Sequence, residues 1–249
     1  MADAADYTDP HLHTYRPVPA AGTGVCRVCH SGPNPGFDIC RSCAKTVGQV
    51  GRATLQVVPI TLYEVPSQLW HVLRHYKDAP PQPSRLLATQ VAAIIARFLE
   101  RHSRCLATLG GAHTLVTAVP STQPGRGGEH PLVRVVRRVR RLDKLYVPAL
   151  VRGPGQVGHN MAGDDVFRPV RRVDGHRVLL IDDTFTTGAR VQSATSALFA
   201  AGAADVVALV VGRVIDPDWN DNCRRIWDHA ARTQFTFDRC CLCDISPDR

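Results

Sequence analysis

The run Val178-Leu179-Leu180-Ile181-Asp182-Asp183-Thr184-Phe185-Thr186-Thr187-Gly188 constrains this chain more than any other stretch. Its first four residues are apolar and rich in branched side chains, as expected for a strand buried on both faces of a parallel sheet. Asp182 and Asp183 then stand as the first polar groups past the core edge. A short loop of hydroxyls and one glycine leads into a helix-compatible segment from about Ala189 to Ala201. This grammar places a chemical site at the carboxyl end of a buried strand, where open α/β sheets bind ligands.

Two adjacent carboxylates are acceptors without donors at neutral pH. They suit a diol, whose hydroxyls each need an acceptor, or a cation. The loop offers the opposite chemistry. Hydroxyls of Thr184, Thr186 and Thr187 can donate, and unpaired N–H groups at a helix start attract anions. Gly188 has no side chain, so a phosphate can approach the backbone closely. Diol acceptors beside a phosphate cradle describe a ribose 5-phosphate. A bare Asp-Asp has other readings: a Mg²⁺ ligand, a phospho-acceptor or a structural loop end. The Thr-Thr-Gly continuation is the more specific part. No Gly-x-x-x-x-Gly-Lys-Ser/Thr loop occurs, which argues against a P-loop hydrolase.

Strands and helices alternate along the chain, as in a parallel-rich α/β sheet. Residues 55–63 read as a strand, with Pro59 marking an edge or bulge. Residues 67–77 read as a short helix. Ala79-Pro80-Pro81-Gln82-Pro83 breaks the chain, and Ser84 can cap a strong helix. Leu86, Leu87, Val91, Ile94, Ile95, Phe98 and Leu99 form its core stripe. Leu115 to Val119 is a buried strand ending at Pro120-Ser121-Thr122. Pro131 opens a basic helix. Strands at 177–181 and 205–211 flank the helix at 189–201. Residues 1–24 lack periodicity and read as a flexible tail.

The cysteines read as ligands. Cys26-x2-Cys29 and Cys40-x2-Cys43 are two thiol pairs separated by ten residues. This spacing closes a tetrahedral Zn²⁺ site in a reduced compartment, and four thiolates make it structural. The spacer Ser31 to Gly36 is turn-rich, as a small ribbon requires. A redox or disulfide pair is the competing reading. A second zinc site could be completed by Cys223, His229, Cys240 and Cys243, or Cys240 and Cys243 could be unligated thiols. Cys105 reads as a small core residue in an apolar helix.

At 249 residues the chain can bury one sizeable core and a small extra module. No apolar run reaches the ~18–20 residues of a membrane span, so no membrane insertion is expected. The acidic start Met1 to Asp6 lacks an apolar signal core, and a cytoplasmic location is expected. The formal net charge is +8. Much of it lies in Arg134, Arg137, Arg138, Arg140, Arg141 and Lys144. Arg134, Arg137, Arg138 and Arg141 are expected on one helix face, which either is simply solvated or attracts polyanions such as DNA.

Taken together, these residues resemble the ComF family of phosphoribosyltransferase-like proteins. The resemblance spans about residues 25–215: two Cys pairs, Leu73-Arg74-His75-Tyr76-Lys77, Thr117-Ala118-Val119-Pro120, Gln156, and the Asp-Asp-Thr-x-Thr-Thr-Gly loop. It implies a type I phosphoribosyltransferase-like fold at 51–215, α/β with a mostly parallel sheet flanked by helices. A zinc ribbon at 25–50 precedes it, and a Cys-containing extension at 216–249 follows. It implies that Asp182 and Asp183 bind the ribose hydroxyls of phosphoribosyl pyrophosphate (PRPP), in the catalytic position. Thr184, Phe185, Thr186, Thr187 and Gly188 would hold its 5-phosphate. Pro120, Ser121 and Thr122 would face the pyrophosphate, with Lys77 and Arg126 as cations and Mg²⁺ bridging ligand oxygens.

The implied reaction displaces pyrophosphate at C1 by an unidentified base or amine. Two features depart from the family pattern. Gly125-Arg126-Gly127-Gly128-Glu129-His130 stands where the family carries Arg-Gly-Phe-Asn. The hood segment from Gln156 to Phe167 contains no Lys or Arg. Binding without efficient turnover, as in a PRPP sensor, is therefore an alternative. A DNA-uptake accessory that binds DNA or a DNA-processing partner is another. The acceptor and the oligomeric state, a homo-oligomer included, stay open at this level.

Overall fold

The computed structural model describes residues 3–122 and 129–243. Four strands form one sheet: β1 (Val57–Tyr63), β2 (Leu115–Ala118), β5 (Arg177–Phe185) and β6 (Asp205–Val214). Their order is β1-β6-β5-β2 and every pairing is parallel. A separate antiparallel pair joins β3 (Leu150–Arg152) to β4 (Phe167–Pro169). The expected fold class holds: a parallel central sheet flanked by helices, preceded by a cluster of four cysteines.

The strands are apolar on both faces because helices cover both. Alternate residues point to opposite sides of a strand. Val58, Val116, Leu179, Ile181, Val207 and Leu209 pack with α3 (Gln68–Asp78), α4 (Pro81–Ala107) and α5 (Pro131–Arg138). Val57, Leu115, Val178, Leu180, Val206 and Ala208 pack with α7 (Ala189–Ala200) and the cysteine cluster. Pro59 sits on edge strand β1, where a missing N–H costs no ladder bond to a second neighbour.

Four local expectations are corrected by tertiary contacts. Residues 3–24, expected as a flexible tail, begin with helix α1 (Ala4–Thr8) and a 3-10 turn at Asp9–Thr14. Tyr15 is 1% exposed and meets the Phe235 and Phe237 rings edge-on at 5.4 and 6.4 Å. Arg16 bridges Leu62 and so covers the open edge of β1. This stretch is ordered by long-range packing, which periodicity does not report.

Helix α4 starts at Pro81, three residues before the expected cap. Prolines are tolerated in a first turn, whose N–H groups have no intrahelical partner. The Ser84 hydroxyl instead donates to the Tyr76 carbonyl at 2.7 Å, tying α4 to α3. Leu86, expected in the core stripe, is 66% exposed. The basic helix also breaks. Val139 is extended, and the chain restarts as the single turn α6 (Arg140–Asp143). The expected four-arginine face is therefore split. Arg138 donates to Thr89 Oγ1 at 2.5 Å and Arg141 to Ser103 Oγ at 3.0 Å, both on α4.

After β6, α8 (Asp221–Arg232) packs on the ribbon segment through Asn222 Nδ2 to the Pro33 carbonyl at 2.8 Å. The chain then returns to α4, where Phe235, Phe237, Cys241 and Leu242 join the core.

Candidate functional site

Because the sheet is parallel, all four strands end on the same side. There, a cavity of about 550 Å³ opens, lined by Tyr63, Thr122, Val214 and the whole Asp182–Val191 segment. Residues from α3 (Trp70, Arg74, Lys77) and from the segment after β3 (Val157, Gly158, His159) close its sides. This is the crevice expected for an open α/β sheet.

The carboxylates are not past the core edge. β5 runs to Phe185 because β6 continues alongside it, pairing Asp182 with Val210 and Thr184 with Gly212. Asp182 and Asp183 are thus strand residues, 1% and 0% exposed. Adjacent strand positions face opposite sides, and each carboxylate meets a different helix. Asp182 Oδ1 accepts from Arg190 of α7 at 3.3 Å and from the Asp183 N–H at 3.0 Å. Asp183 Oδ2 accepts from the Tyr76 hydroxyl at 2.5 Å and pairs with Lys77 of α3. The second oxygens, Asp182 Oδ2 and Asp183 Oδ1, are buried and have no hydrogen-bond partner among the described residues. A buried acceptor left unsatisfied is costly. Both residues line the cavity, so each brings one buried, unpartnered acceptor to its wall.

Their environments pull the two groups apart. Burial raises the Asp182 carboxyl to about 6, against the opposing pull of Arg190. Burial acts on Asp183 in the same sense. There, the charges of Lys77 and Arg190 and the hydrogen bonds from Lys77 and Tyr76 win, holding it well below the usual carboxylate range.

The loop that follows is shaped by one aromatic ring. Phe185 is buried, with the Arg213 guanidinium 5.4 Å from its centroid. Gly188 adopts φ +86°, and a Cβ there would lie 2.5 Å from the Phe185 ring. Helix α7 opens at Gly188 with no side-chain cap. Its first N–H groups and the exposed Thr186 hydroxyl edge the cavity, as an anion requires. Gly188→Ala should therefore destabilise the fold by about 1–3 kcal/mol, through strain and the ring clash. A thermal unfolding midpoint equal to that of the unsubstituted protein would contradict this.

Cys26, Cys29, Cys40 and Cys43 are buried, with their four sulfurs within 4.8 Å of one another. Cys29 and Cys40 sulfurs are 3.7 Å apart, and the Cys40 N–H donates to Cys26 Sγ at 3.3 Å. The donor set fits a closed tetrahedral Zn²⁺ site. It lies against the loop. From α2 (Arg41–Val47), the Thr46 hydroxyl donates to the Thr187 carbonyl at 3.2 Å. Arg213 is buried beside the cluster. Burial opposes its charge, but Cys29, Cys40 and Cys43 favour it more, and its guanidinium donates to the Phe185 carbonyl at 3.3 Å.

Of the residues expected at the site, Lys77, Thr122 and Thr184 to Gly188 line the cavity with Asp182 and Asp183. Pro120 and Ser121 are not among its lining residues, and Arg126 lies outside the described residues. Tyr76, Arg190, Arg74 and His159 were not assigned roles from sequence. Arg74 stands three residues before Lys77 in the Leu-Arg-His-Tyr-Lys motif, a helical spacing that puts both on one face, whereas Tyr76 carries no such signal. The expected second metal set does not assemble. Cys223 packs on the ribbon, its sulfur 3.4 Å from the Gly32 carbonyl, and His229 lines a separate cavity. Cys240 and Cys243 instead meet His102 and Cys105, the cysteine expected as plain core.

No protein-family model matches the chain, and no curated protein matches it. Among solved structures, it is similar to adenine phosphoribosyltransferase from Leishmania tarentolae. Identity is 17% and the TM-score 0.35, over 62% of this chain and 78% of that one. So distant a likeness decides nothing about ligand or reaction.

Proposed function

We propose that this protein binds PRPP and transfers its phosphoribosyl group to a nitrogen acceptor, releasing pyrophosphate. One observation carries the reading: the unpartnered oxygens Asp182 Oδ2 and Asp183 Oδ1, in a cavity that also holds the uncapped start of α7. The two oxygens accept the ribose 2- and 3-hydroxyls. The Thr186–Gly188 turn donates to the 5-phosphate. Arg74 and Lys77 face the pyrophosphate, and Lys77 also holds Asp183 in its charged state.

In the transfer, the nitrogen lone pair forms the new bond to C1 while the C1–oxygen bond to pyrophosphate breaks, its electrons leaving with pyrophosphate. The protein contributes positioning and charge stabilisation. Mg²⁺ would shield the pyrophosphate charge, held mainly by ligand oxygens. The N-terminal cysteines hold a structural Zn²⁺. A reduced compartment such as the cytoplasm suits nine free cysteines. Among the described residues, no helix is long and apolar enough to cross a membrane.

Binding without turnover, as in a sensor, finds some support in the hood. Val157, Gly158 and His159 reach the cavity, and the segment supplies no Lys or Arg. DNA binding draws less support, because Arg138 and Arg141 donate to side chains of α4.

Calorimetry with PRPP and Mg²⁺ tests the site. Asp182→Asn with Asp183→Asn should cost on the order of 1–3 kcal/mol of PRPP affinity, typical of charge-assisted hydrogen bonds. Unchanged affinity in that variant would sink the assignment. The raised Asp182 carboxyl adds a pH signature. Its charged, accepting form is lost as pH falls through about 6, so affinity should drop there. The ligand phosphate titrates in the same range, and the informative comparison is a flatter profile in Asp182→Asn. A screen of bases for pyrophosphate release then separates transferase from sensor.

A further inference from the structure

We propose that His102, Cys105, Cys240 and Cys243 form a second Zn²⁺ site that clamps the C-terminal segment onto α4. The four donor atoms lie within 4.8 Å of one another. His102 and Cys105 are three residues apart near the end of α4, so their side chains share a face. Cys240 and Cys243 come from a tight turn, in which the Cys243 N–H donates to the Cys240 carbonyl at 3.1 Å.

Four of the six edges between donor atoms are close to those of a tetrahedron around zinc. With Zn–S about 2.3 Å and Zn–N about 2.0–2.1 Å, ligand edges are about 3.8 Å between sulfurs and about 3.5 Å between sulfur and nitrogen. Cys105 and Cys243 sulfurs are 3.8 Å apart, and those of Cys240 and Cys243 3.4 Å. His102 Nδ1 lies 3.7 Å from Cys105 Sγ and 3.6 Å from Cys243 Sγ. Sulfurs bonded as a disulfide would stand about 2.0 Å apart.

The histidine is also oriented for a metal. Its Nε2 is 2.9 Å from the Phe237 carbonyl, which can only accept. The proton therefore sits on Nε2, and the Nδ1 lone pair faces the sulfurs of Cys105 and Cys243. A ligating histidine is commonly fixed this way, by donating its other N–H to a carbonyl. The ring is 2% exposed and lies 5.0 Å from the Phe98 ring, so the orientation is locked by packing. The Cys240 N–H donates to Cys243 Sγ at 3.4 Å, as suits a thiolate.

Three thiolates and one imidazole leave no open position, so the site is structural rather than catalytic. Its place in the fold shows what it secures. Phe235 and Phe237, just before the Cys240–Cys243 turn, cover Tyr15 and the α4 core. Two metal sites at opposite ends of the chain then hold the N-terminal ribbon and the C-terminal segment against the same sheet from its two faces.

The test is metal content of the full chain, purified without chelator and with thiols kept reduced. Two zinc ions per chain are expected. His102→Ala with Cys105→Ser should leave one, as should Cys26→Ser with Cys29→Ser through loss of the other site. Cys223→Ser with His229→Ala should keep two. His102→Cys preserves a four-donor set and should also keep two, which separates loss of a ligand from loss of the fold. Cobalt-substituted protein should show thiolate-to-metal absorption that falls in the His102→Ala, Cys105→Ser variant. One zinc in the unsubstituted chain, a disulfide among Cys105, Cys240 and Cys243 under reducing conditions, or two zincs persisting without His102 and Cys105 would each overturn the proposal.

Discussion

Replacing Cys26 and Cys29 by Ser is expected to unfold the ribbon and to lower PRPP affinity at least tenfold, about 1.4 kcal/mol. The stability effect is the larger. Structural zinc supplies about 10–16 kcal/mol of apparent binding energy in zinc-finger peptides, which becomes folding energy when the site forms only on folding. Without metal, the Cys40 and Cys43 thiols, two new serine hydroxyls and the Arg213 guanidinium would remain buried together. The loss should reach the ligand site because α2 and the loop share the bond from Thr46 to the Thr187 carbonyl. Arg213, beside the thiols, also holds the Phe185 carbonyl at the base of the loop. Denaturant unfolding and PRPP calorimetry on the double variant, with zinc measured on the same sample, check both parts. Full PRPP affinity in a zinc-free ribbon would show that the two sites are independent.

Lys77→Met should destabilise the protein by about 3 kcal/mol, the low end of the range for breaking one partner of a buried ion pair, because Lys77 is 20% exposed. The carboxylate of Asp183 would keep the Tyr76 hydroxyl but lose its adjacent cation. The sign with pH follows from the direction of the Asp183 shift. Its folded carboxyl is held below the unfolded value of about 4. Its ionised form therefore contributes stability that is fully present above that value and is lost as pH falls through the folded one. Lys77→Met should remove this contribution at neutral pH and flatten the acid side of the stability profile. Asp182 acts with the opposite sign. Its folded value, about 6, lies above the unfolded one, so its contribution is present below about 4 and lost as pH rises through about 6. Adding Asp183→Asn to Lys77→Met should recover most of the loss, since no buried charge is left unpaired. Urea unfolding of the single and double variants decides it. A single variant as stable as the unsubstituted protein would mean that Arg190 and Tyr76 suffice to hold the charge.

The sequence by itself determined the backbone grammar. An all-apolar run ending in Asp-Asp and Thr-Thr-Gly specified a buried parallel strand, a hydroxyl-rich turn and a helix start. Paired Cys-x2-Cys spacings specified the N-terminal cluster. Both signals are local: adjacent residues fix strand, turn and spacing without reference to the rest of the chain. The tertiary structure decided partners. Alternation along β5 sends Asp182 toward α7 and Asp183 toward α3, so Arg190, Tyr76 and Lys77 became their neighbours only once the sheet order was set. Cys240 and Cys243 offered the same spacing signal as the first pairs. Their partners came from His102 and Cys105, more than a hundred residues upstream, and not from the nearer Cys223 and His229. Tyr15 was buried by Phe235 and Phe237 in the same way, across nearly the whole chain. Periodicity reports which face of an element turns inward. What meets that face depends on strand order and on how the chain ends wrap the sheet, and these are set by packing between segments far apart in sequence.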